Sequence, residues 1–427
     1  MNTFTNTENY GADSGRLAAF AMAAVMAFCI LAWAPASFAA GLGEDIADTF
    51  KNGQFNVNLR YRYEFVDASD NGKKDANAST LRTRLVYKTA KWNDFDITIN
   101  MDDVHTIVAD HYNSTRNGKT QYQTVADPEG TDLNIAALTY SGLENTQIIL
   151  GRQRIIRGGA RFIGNVGWRQ NEQTYDALTA NYKDDNFKVS YSYVNQVRRI
   201  FGPETATGPA ADSWDSNSHL LDVSYKFGNA LTVGAYGYMM DFDNADSKSN
   251  STYGVRLSGA PKVNDNVTVI YAAEYATQDD YKDNPTDYSA DYLLAELGIK
   301  WSTFTIKAGY EVLEGDESAG VAFQTPLATL HKFNGWADKF LGTPGSGLED
   351  TYIALSTKVS KGSMALILHD FSSDVGGTDF GQEYDFVAKW PISKTYSVLG
   401  KFAIYDADSA SSTIDTTKAW LMLTAAF

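Results

Sequence analysis

Phe55-Asn56-Val57-Asn58-Leu59-Arg60-Tyr61-Arg62-Tyr63-Glu64-Phe65 alternates without a break. Phe55, Val57, Leu59, Tyr61, Tyr63 and Phe65 hold one parity, while Asn56, Asn58, Arg60, Arg62 and Glu64 hold the other. Side chains two apart on an extended chain share a face, so the stretch predicts a strand with one greasy and one charged side. Leu81, Thr83, Leu85 and Tyr87 repeat the pattern against Arg82, Arg84 and Lys88, and Phe187, Val189, Tyr191 and Tyr193 against Lys188, Ser190 and Ser192. A sandwich strand also alternates, but its polar face looks onto bulk water. Here the polar faces gather cations strand after strand, which suits a shared wet interior.

Outward from these segments the same reading predicts strands at 55–67, 79–91, 94–103, 132–140, 145–154, 173–183, 185–196, 217–228, 230–241, 251–262, 266–278, 288–300, 301–313, 349–359, 362–372, 381–391, 394–406 and 416–427. The connections alternate between short and long. Asn93, 141–144, Asp184, Asn229, 263–265, 360–361 and 392–393 carry the Asn, Asp, Gly and Ser of tight turns. Stretches such as 104–131, 155–172, 197–216 and 314–348 are long loops. About 18 strands of this kind predict an all-β fold: a transmembrane antiparallel up-and-down β-barrel with short periplasmic turns and long extracellular loops.

The two ends agree with an exported barrel. Arg16, an apolar run over 17–33 and small residues at Ser37 and Ala39 have the form of a signal peptide ending at 39. The expected organisation is a signal peptide at 1–39, a periplasmic segment at 40–54 and the barrel at 55–427, in a Gram-negative outer membrane. At the other end Ala419, Leu421, Leu423, Ala425 and Phe427 share a face. This resembles the terminal signal read by the barrel-assembly machinery, an expected partner beside outer-membrane lipid. The one cysteine, Cys29, lies in the signal segment, which excludes a disulfide framework or a thiolate site from the mature chain. A net charge of −16 argues against nucleic acid. Charge is nonetheless segregated: beyond the signal segment every arginine except Arg256 falls before residue 200.

The segment 151–175, GRQRIIRGGARFIGNVGWRQNEQTY, is the expected narrow part of the lumen. Arg152, Arg154, Arg157, Arg161 and Arg169 are too many cations for a core without partners, and a wet anion-attracting lining tolerates them. Arg60, Arg62, Arg82 and Arg84 are expected to point inward beside them, with Arg152 and Arg154. The bracing alternative pairs these arginines with Glu64, Asp176, Asp222, Glu274 and Glu296 across the lumen. The loop 314–348 carries so many aromatic residues that it is expected to fold inward or pack on the barrel mouth, with Phe333, Trp336 and Phe340 on one face of a short helix and Trp336 a sugar-stacking candidate. No histidine sits in a hydrolase motif, and His105 and His111 with Asp102, Asp103 and Asp110 match no standard metal spacing. No enzyme activity, cofactor or metal is expected. An occluded barrel serving as an enzyme or surface-binding protein is the alternative class.

At Gly151-Arg152-Gln153-Arg154, at RFIGNVGWRQN over 161–171 and at FNGWAD over 333–338, the chain resembles the alginate export family of outer-membrane proteins. The resemblance runs over most of the mature chain. It implies an eighteen-stranded barrel, and its best-known member passes an anionic uronate polymer through an arginine-lined, loop-constricted lumen. It further implies that Arg152, Arg154, Arg161 and Arg169 are lumen residues. The second half of this chain is acidic, a departure from a uniformly basic channel, so a porin for smaller anionic or neutral polar solutes, or for an oligo- or polysaccharide, fits the residues as well as one for alginate.

Overall fold

The computed structural model describes residues 45–69, 71–202 and 211–427; the expected signal peptide at 1–39 lies outside the described residues. The described residues fall into two units, 45–53 with Thr89–Asn93 and Gln54–Lys88 with Asp94–Phe427. In the first, residues 45–51 are helical. The second is the barrel. Its strands are β1 (Gln54–Ala68), β2 (Ala76–Lys88), β3 (Phe95–His111), β4 (Gly130–Tyr140), β5 (Thr146–Gln153), β6 (Thr174–Lys183), β7 (Phe187–Arg198), β8 (Ser213–Phe227), β9 (Leu231–Met240), β10 (Asn250–Gly259), β11 (Val267–Asp280), β12 (Ser289–Trp301) and β13 (Phe304–Leu313). A small hairpin, β14 (Gly315–Asp316) and β15 (Val321–Ala322), opens the next loop. Then follow β16 (Leu348–Val359), β17 (Gly362–Ser372), β18 (Asp379–Pro391), β19 (Tyr396–Ala407) and β20 (Thr416–Ala426).

Eighteen of these strands make one sheet, each antiparallel to its neighbours, and β1 pairs both β2 and β20, so the sheet closes. Closure leaves no open edge, and every ladder group finds a partner where no water is available. Short turns take positive φ at non-glycine residues, as at Asn145 (56°), Ser302 (53°) and Ser360 (52°). The main departure from the sequence reading is β3, which continues to His111 instead of stopping near 103. The polar run Asp102-Asp103 obscures the alternation there, yet Thr106 and His111 still pair Thr80 and Asn77 of β2.

The polarity is that of a soluble protein turned inside out. Leu297, Ile299 and Trp301 on β12, Leu355 on β16, Phe386 on β18, and Leu421 and Leu423 on β20 face outward and are exposed. Arg62 and Glu64 on β1, Arg82 on β2, Glu311 on β13, Asp350 on β16 and Glu383 and Asp385 on β18 are buried on the inner face. An apolar exterior band is stable only against lipid.

One glycine is indispensable to the geometry of the narrow part. Gly151 has φ of 111°, and a Cβ there would lie 2.3 Å from the Ala136 carbonyl oxygen of β4. Gly151→Ala is expected to cost more than about 2 kcal/mol. The midpoint of urea unfolding in detergent should fall accordingly, and an unchanged midpoint would remove this account of the β4–β5 seam.

Candidate pore constriction

Two loops meet inside the barrel, 154–173 after β5 and 314–347 after β13. They join through backbone bonds: Gly164 N–H donates to Leu327 O (2.8 Å) and Thr329 N–H to Ala160 O (3.0 Å). Gly158 and Gly159, with φ of 49° and 68°, turn the first loop inward. Its Phe162 then packs on Tyr236 and Tyr292 of the wall and on Phe323 of the second loop, with ring centroids 5.0–5.9 Å apart. Burial of these rings offsets the entropy of ordering two long loops.

Charge matches the loops to the walls. The wall from β1 to β5 is basic, and the first loop brings Glu172 to it. Arg84 donates to Glu172 at 2.8 Å, Arg154 donates through two N–H groups, Nε at 2.7 Å, and Asn165 at 2.8 Å. The wall from β11 to β18 is acidic, and the same loop sends Arg161 to Glu311 (2.7 Å). Arg169 reaches Glu64 at 3.1 Å and Asp338 of the second loop at 3.4 Å. Asp127, from loop 112–129, accepts from Arg62 (3.0 Å) and from the Gln170 backbone N–H (2.7 Å). Buried pairs of this kind are costly to break from one side, because the survivor stays behind without its partner.

Electrostatics in the loops follows from this pairing. Burial alone would raise the Glu172 and Asp127 carboxyls. The bonds from Arg154 and Arg84 hold Glu172 below its ordinary 4.5, and Arg62 and Arg169 hold Asp127 below 3.8. A depressed carboxylate contributes stability that is complete above its ordinary value and is lost as pH falls through the depressed one. The loop packing held by these two groups is therefore expected to persist to about pH 4 and fail below it. Hydrogen exchange in 155–172 as a function of pH measures this, and loosening that is already complete at pH 5 would contradict it.

The nine candidate residues fall into groups. Arg62, Arg84, Arg152, Arg154, Arg161 and Arg169 all carry carboxylate partners; Arg152, for example, is bound to Asp176 at 2.8 Å. The acids named by the bracing alternative are the ones in use: Glu64 and Asp176 as above, Asp222 with Arg157 (3.6 Å) and Glu274 with Arg256 (2.9 Å), while Glu296 takes Lys307 (2.7 Å). Arg60 and Arg82 differ. They are direct cross-strand partners on the inner face, and among the described residues neither forms an ion pair. Arg60 donates to carbonyls of Gly167 (3.0 Å) and Arg169 and to Gln170 Oε1 (2.9 Å). Arg82 is 6% exposed, donates one bond to Asn58 (2.8 Å) and leaves Nε without a partner.

Trp336 is not on a helix. Asn334 and Gly335 take φ of 53° and 81° and Asp338 takes 60°, which no helical turn accommodates, so Phe333, Trp336 and Phe340 diverge. Phe333 lies under Arg161 (4.7 Å), Trp336 under Lys401 of β19 (3.5 Å), and Phe340 packs on Phe371 and Phe380. The turn is gripped by side chains that sequence reasoning passed over. Trp336 N–H donates to Asp385 (3.1 Å), Ala337 N–H to Glu383 (2.7 Å) and Asn334 Nδ2 to Glu311 (2.7 Å). His105 and His111 stay on the outer end of β3 beside Asp103 and Asp110, while Asp102 is taken by Arg84. On the long-loop side of the constriction a cavity of about 480 Å³ is lined by Arg169, Arg199, Lys339 and Lys418 with Asp338.

A closed eighteen-stranded barrel narrowed by inward loops invites comparison with known channels. The family described as alginate export matches residues 52–321, more than half of the sequence. The chain belongs to the alginate export family. No curated protein sequence matches it. Among solved structures, OccAB2 of Acinetobacter baumannii is similar with a TM-score of 0.70 at 14% identity, covering 89% of this chain and 99% of that one. OccK9 (OpdG) of Pseudomonas aeruginosa gives 0.68 at 12% over 89% and 99%, and Pseudomonas aeruginosa OpdK with vanillate gives 0.67 at 9% over 89% and 99%. At these identities the structures share the fold. This alginate export family member is thus an outer-membrane β-barrel of the porin type.

Proposed function

We propose that this family member is a passive channel for polar, anionic solutes, narrowed by loops 154–173 and 314–347. The observation that carries the reading is the Arg60–Arg82 pair. Like charges set directly opposite on neighbouring strands repel, and among the described residues no carboxylate forms an ion pair with either of them. Loop carbonyls satisfy part of Arg60, and a passing carboxylate or other anion would complete both. The other arginines are neutralised, so the lumen's anion preference rests on these two and not on the whole basic stretch. The OpdK neighbour holds vanillate, itself a small carboxylate, and a solute of that charge suits the pair. Export through a signal peptide at 1–39 and recognition of the β20 end by the barrel-assembly machinery belong to the same reading.

Reversal potentials in a planar bilayer under a salt gradient test it. The wild type should be anion-selective. Arg60→Gln with Arg82→Gln should lower the anion-to-cation permeability ratio by about threefold or more, whereas Arg152→Gln with Asp176→Asn, which removes a pair whose charges already cancel, should change it less. Absence of current, or a ratio that ignores the double substitution, would reject the reading and favour an occluded binding barrel.

A further inference from the structure

Between the second loop and the wall lies a group whose protonation state is fixed by its neighbours. Lys401 of β19 projects into a cage of three indoles, 3.5 Å from the ring centre of Trp336, 4.3 Å from Trp168 and 5.3 Å from Trp420. Its Nζ also lies 2.7 Å from Nε2 of His331. An ammonium has donors only, so Nε2 accepts and the imidazole is neutral with its proton on Nδ1. Nδ1 in turn lies 2.7 Å from Asp338 Oδ1 and donates to it. Asp338 completes its shell with Lys418 of β20 (2.7 Å) and Arg169 of the first loop (3.4 Å). Trp168 stacks flat on His331, with centroids 4.5 Å apart and planes 13° apart.

Every element around His331 contributes to its charge environment. Lys401 faces it directly, Lys418 and Arg169 face it across Asp338, and Asp338 is the one carboxylate bonded to it among the described residues; Glu383 and Asp385 stand behind, on the Ala337 and Trp336 N–H groups respectively. A second proton on the imidazole would set an N–H against the Lys401 ammonium with no acceptor between them. That arrangement cannot persist at 2.7 Å, so one of the two must leave. Because His331 and Asp338 flank the Asn334-Gly335-Trp336 turn, its departure takes the turn off the wall.

We propose that His331 is an acid-sensitive latch: protonation of its imidazole breaks the Lys401 bond, frees the 330–340 part of the second loop and widens the constriction, so the channel opens as the medium becomes acidic. This rests on the channel reading above. Burial, opposed by Asp338 and aided by Lys401 and Arg169, holds His331 well below its ordinary 6.5. The sign follows. A base with a depressed value stabilises the latched state fully above 6.5 and loses that contribution as pH falls from there toward the depressed value, by up to tenfold in the open-to-closed ratio per pH unit. Asp338 stays ionised throughout, because His331 and Lys418 overcome the opposing effect of burial and hold it well below 3.8.

Two readouts test the latch. Conductance between pH 7.5 and 4.5 should rise on the acid side in the wild type. His331→Gln, whose amide accepts from Lys401 and donates to Asp338 but does not titrate, should keep the neutral-pH conductance and lose the response. Acrylamide quenching of tryptophan fluorescence should increase with acid in the wild type and stay flat in His331→Gln. If His331→Gln does not fold, Lys401→Met removes the opposing ammonium and should flatten both curves. A flat wild type, or a response that survives these substitutions, overturns the latch. Quenching that behaves as expected with no current at any pH would instead reject the channel reading and leave the latch standing.

Discussion

Replacing Glu311 by alanine is expected to release both constriction loops from the acidic wall while the barrel stays closed. Glu311 of β13 accepts from Arg161 Nε (2.7 Å) and Nη2 (3.2 Å), from Tyr292 (2.6 Å) and from Asn334 (2.7 Å), so one carboxylate joins the wall to both loops. Without it Arg161 stays buried with only Asn334 Oδ1 at 3.0 Å and the faces of Tyr292 and Phe333. An unpaired buried guanidinium costs about 3–5 kcal/mol. That cost falls on loop docking, since the β12–β13–β16 ladders do not involve the side chain. Amide exchange in 155–172 and 330–340 should accelerate by two or more orders of magnitude on the order of that cost, with larger and noisier single-channel currents. Removing Arg161 as well should recover part of the loss. Unaltered exchange in Glu311→Ala would show that the rings hold the loops unaided.

Glu172→Ala should produce the complementary result on the basic side. Arg154 would lose its carboxylate and Arg84 would keep only Asp102 (2.5 Å). Loop 154–173 should loosen by about 3 kcal/mol, and the lumen should gain one positive charge and a higher anion-to-cation permeability ratio. Glu172→Gln separates the two effects, since it removes the same charge but keeps acceptor and donor atoms for Arg84 and Asn165. Selectivity should rise alike in both variants, and exchange in 155–172 should rise mainly in Glu172→Ala. A ratio that does not change would mean that Glu172 carries no net influence on the permeating ion.

The barrel was legible because its signal is local. Alternation such as Phe55 to Phe65 needs nothing beyond neighbours on the same strand, and lipid outside with charge inside makes the pattern strong. That the loop after β13 packs away from solvent was legible too, from aromatic residues no exposed loop would carry, although the sequence left open whether it folds inward or rests on the barrel mouth. What the sequence concealed was which cations keep a free charge. Arg84 meets Glu172 from 88 positions away and Arg161 meets Glu311 from 150, distances at which no local pattern speaks. One clue was present: Glu172 is the only acid within 151–175, and it is the local partner of Arg154, whereas the other four arginines of the stretch find their acids elsewhere. The helical reading of Phe333, Trp336 and Phe340 failed at Asn334-Gly335, a pair better suited to left-handed backbone than to a helix.

The seam where β1 meets β20 bears on how the molecule assembles. Arg62 of β1 lies 3.4 Å from the Met422 sulfur of β20, donates to the Trp168 carbonyl and sits 4.5 Å from the Trp168 ring, which meets Trp420 of β20 edge-on at 5.8 Å. Strands 360 positions apart are thus tied through a residue from the middle of the chain. Contacts of such long sequence separation form late, because the loop-closure entropy must be met before they reward it. The final strand pairing and the seating of the central loop are consequently coupled: the side chains that brace the β1–β20 seam include Trp168 from the middle of the chain.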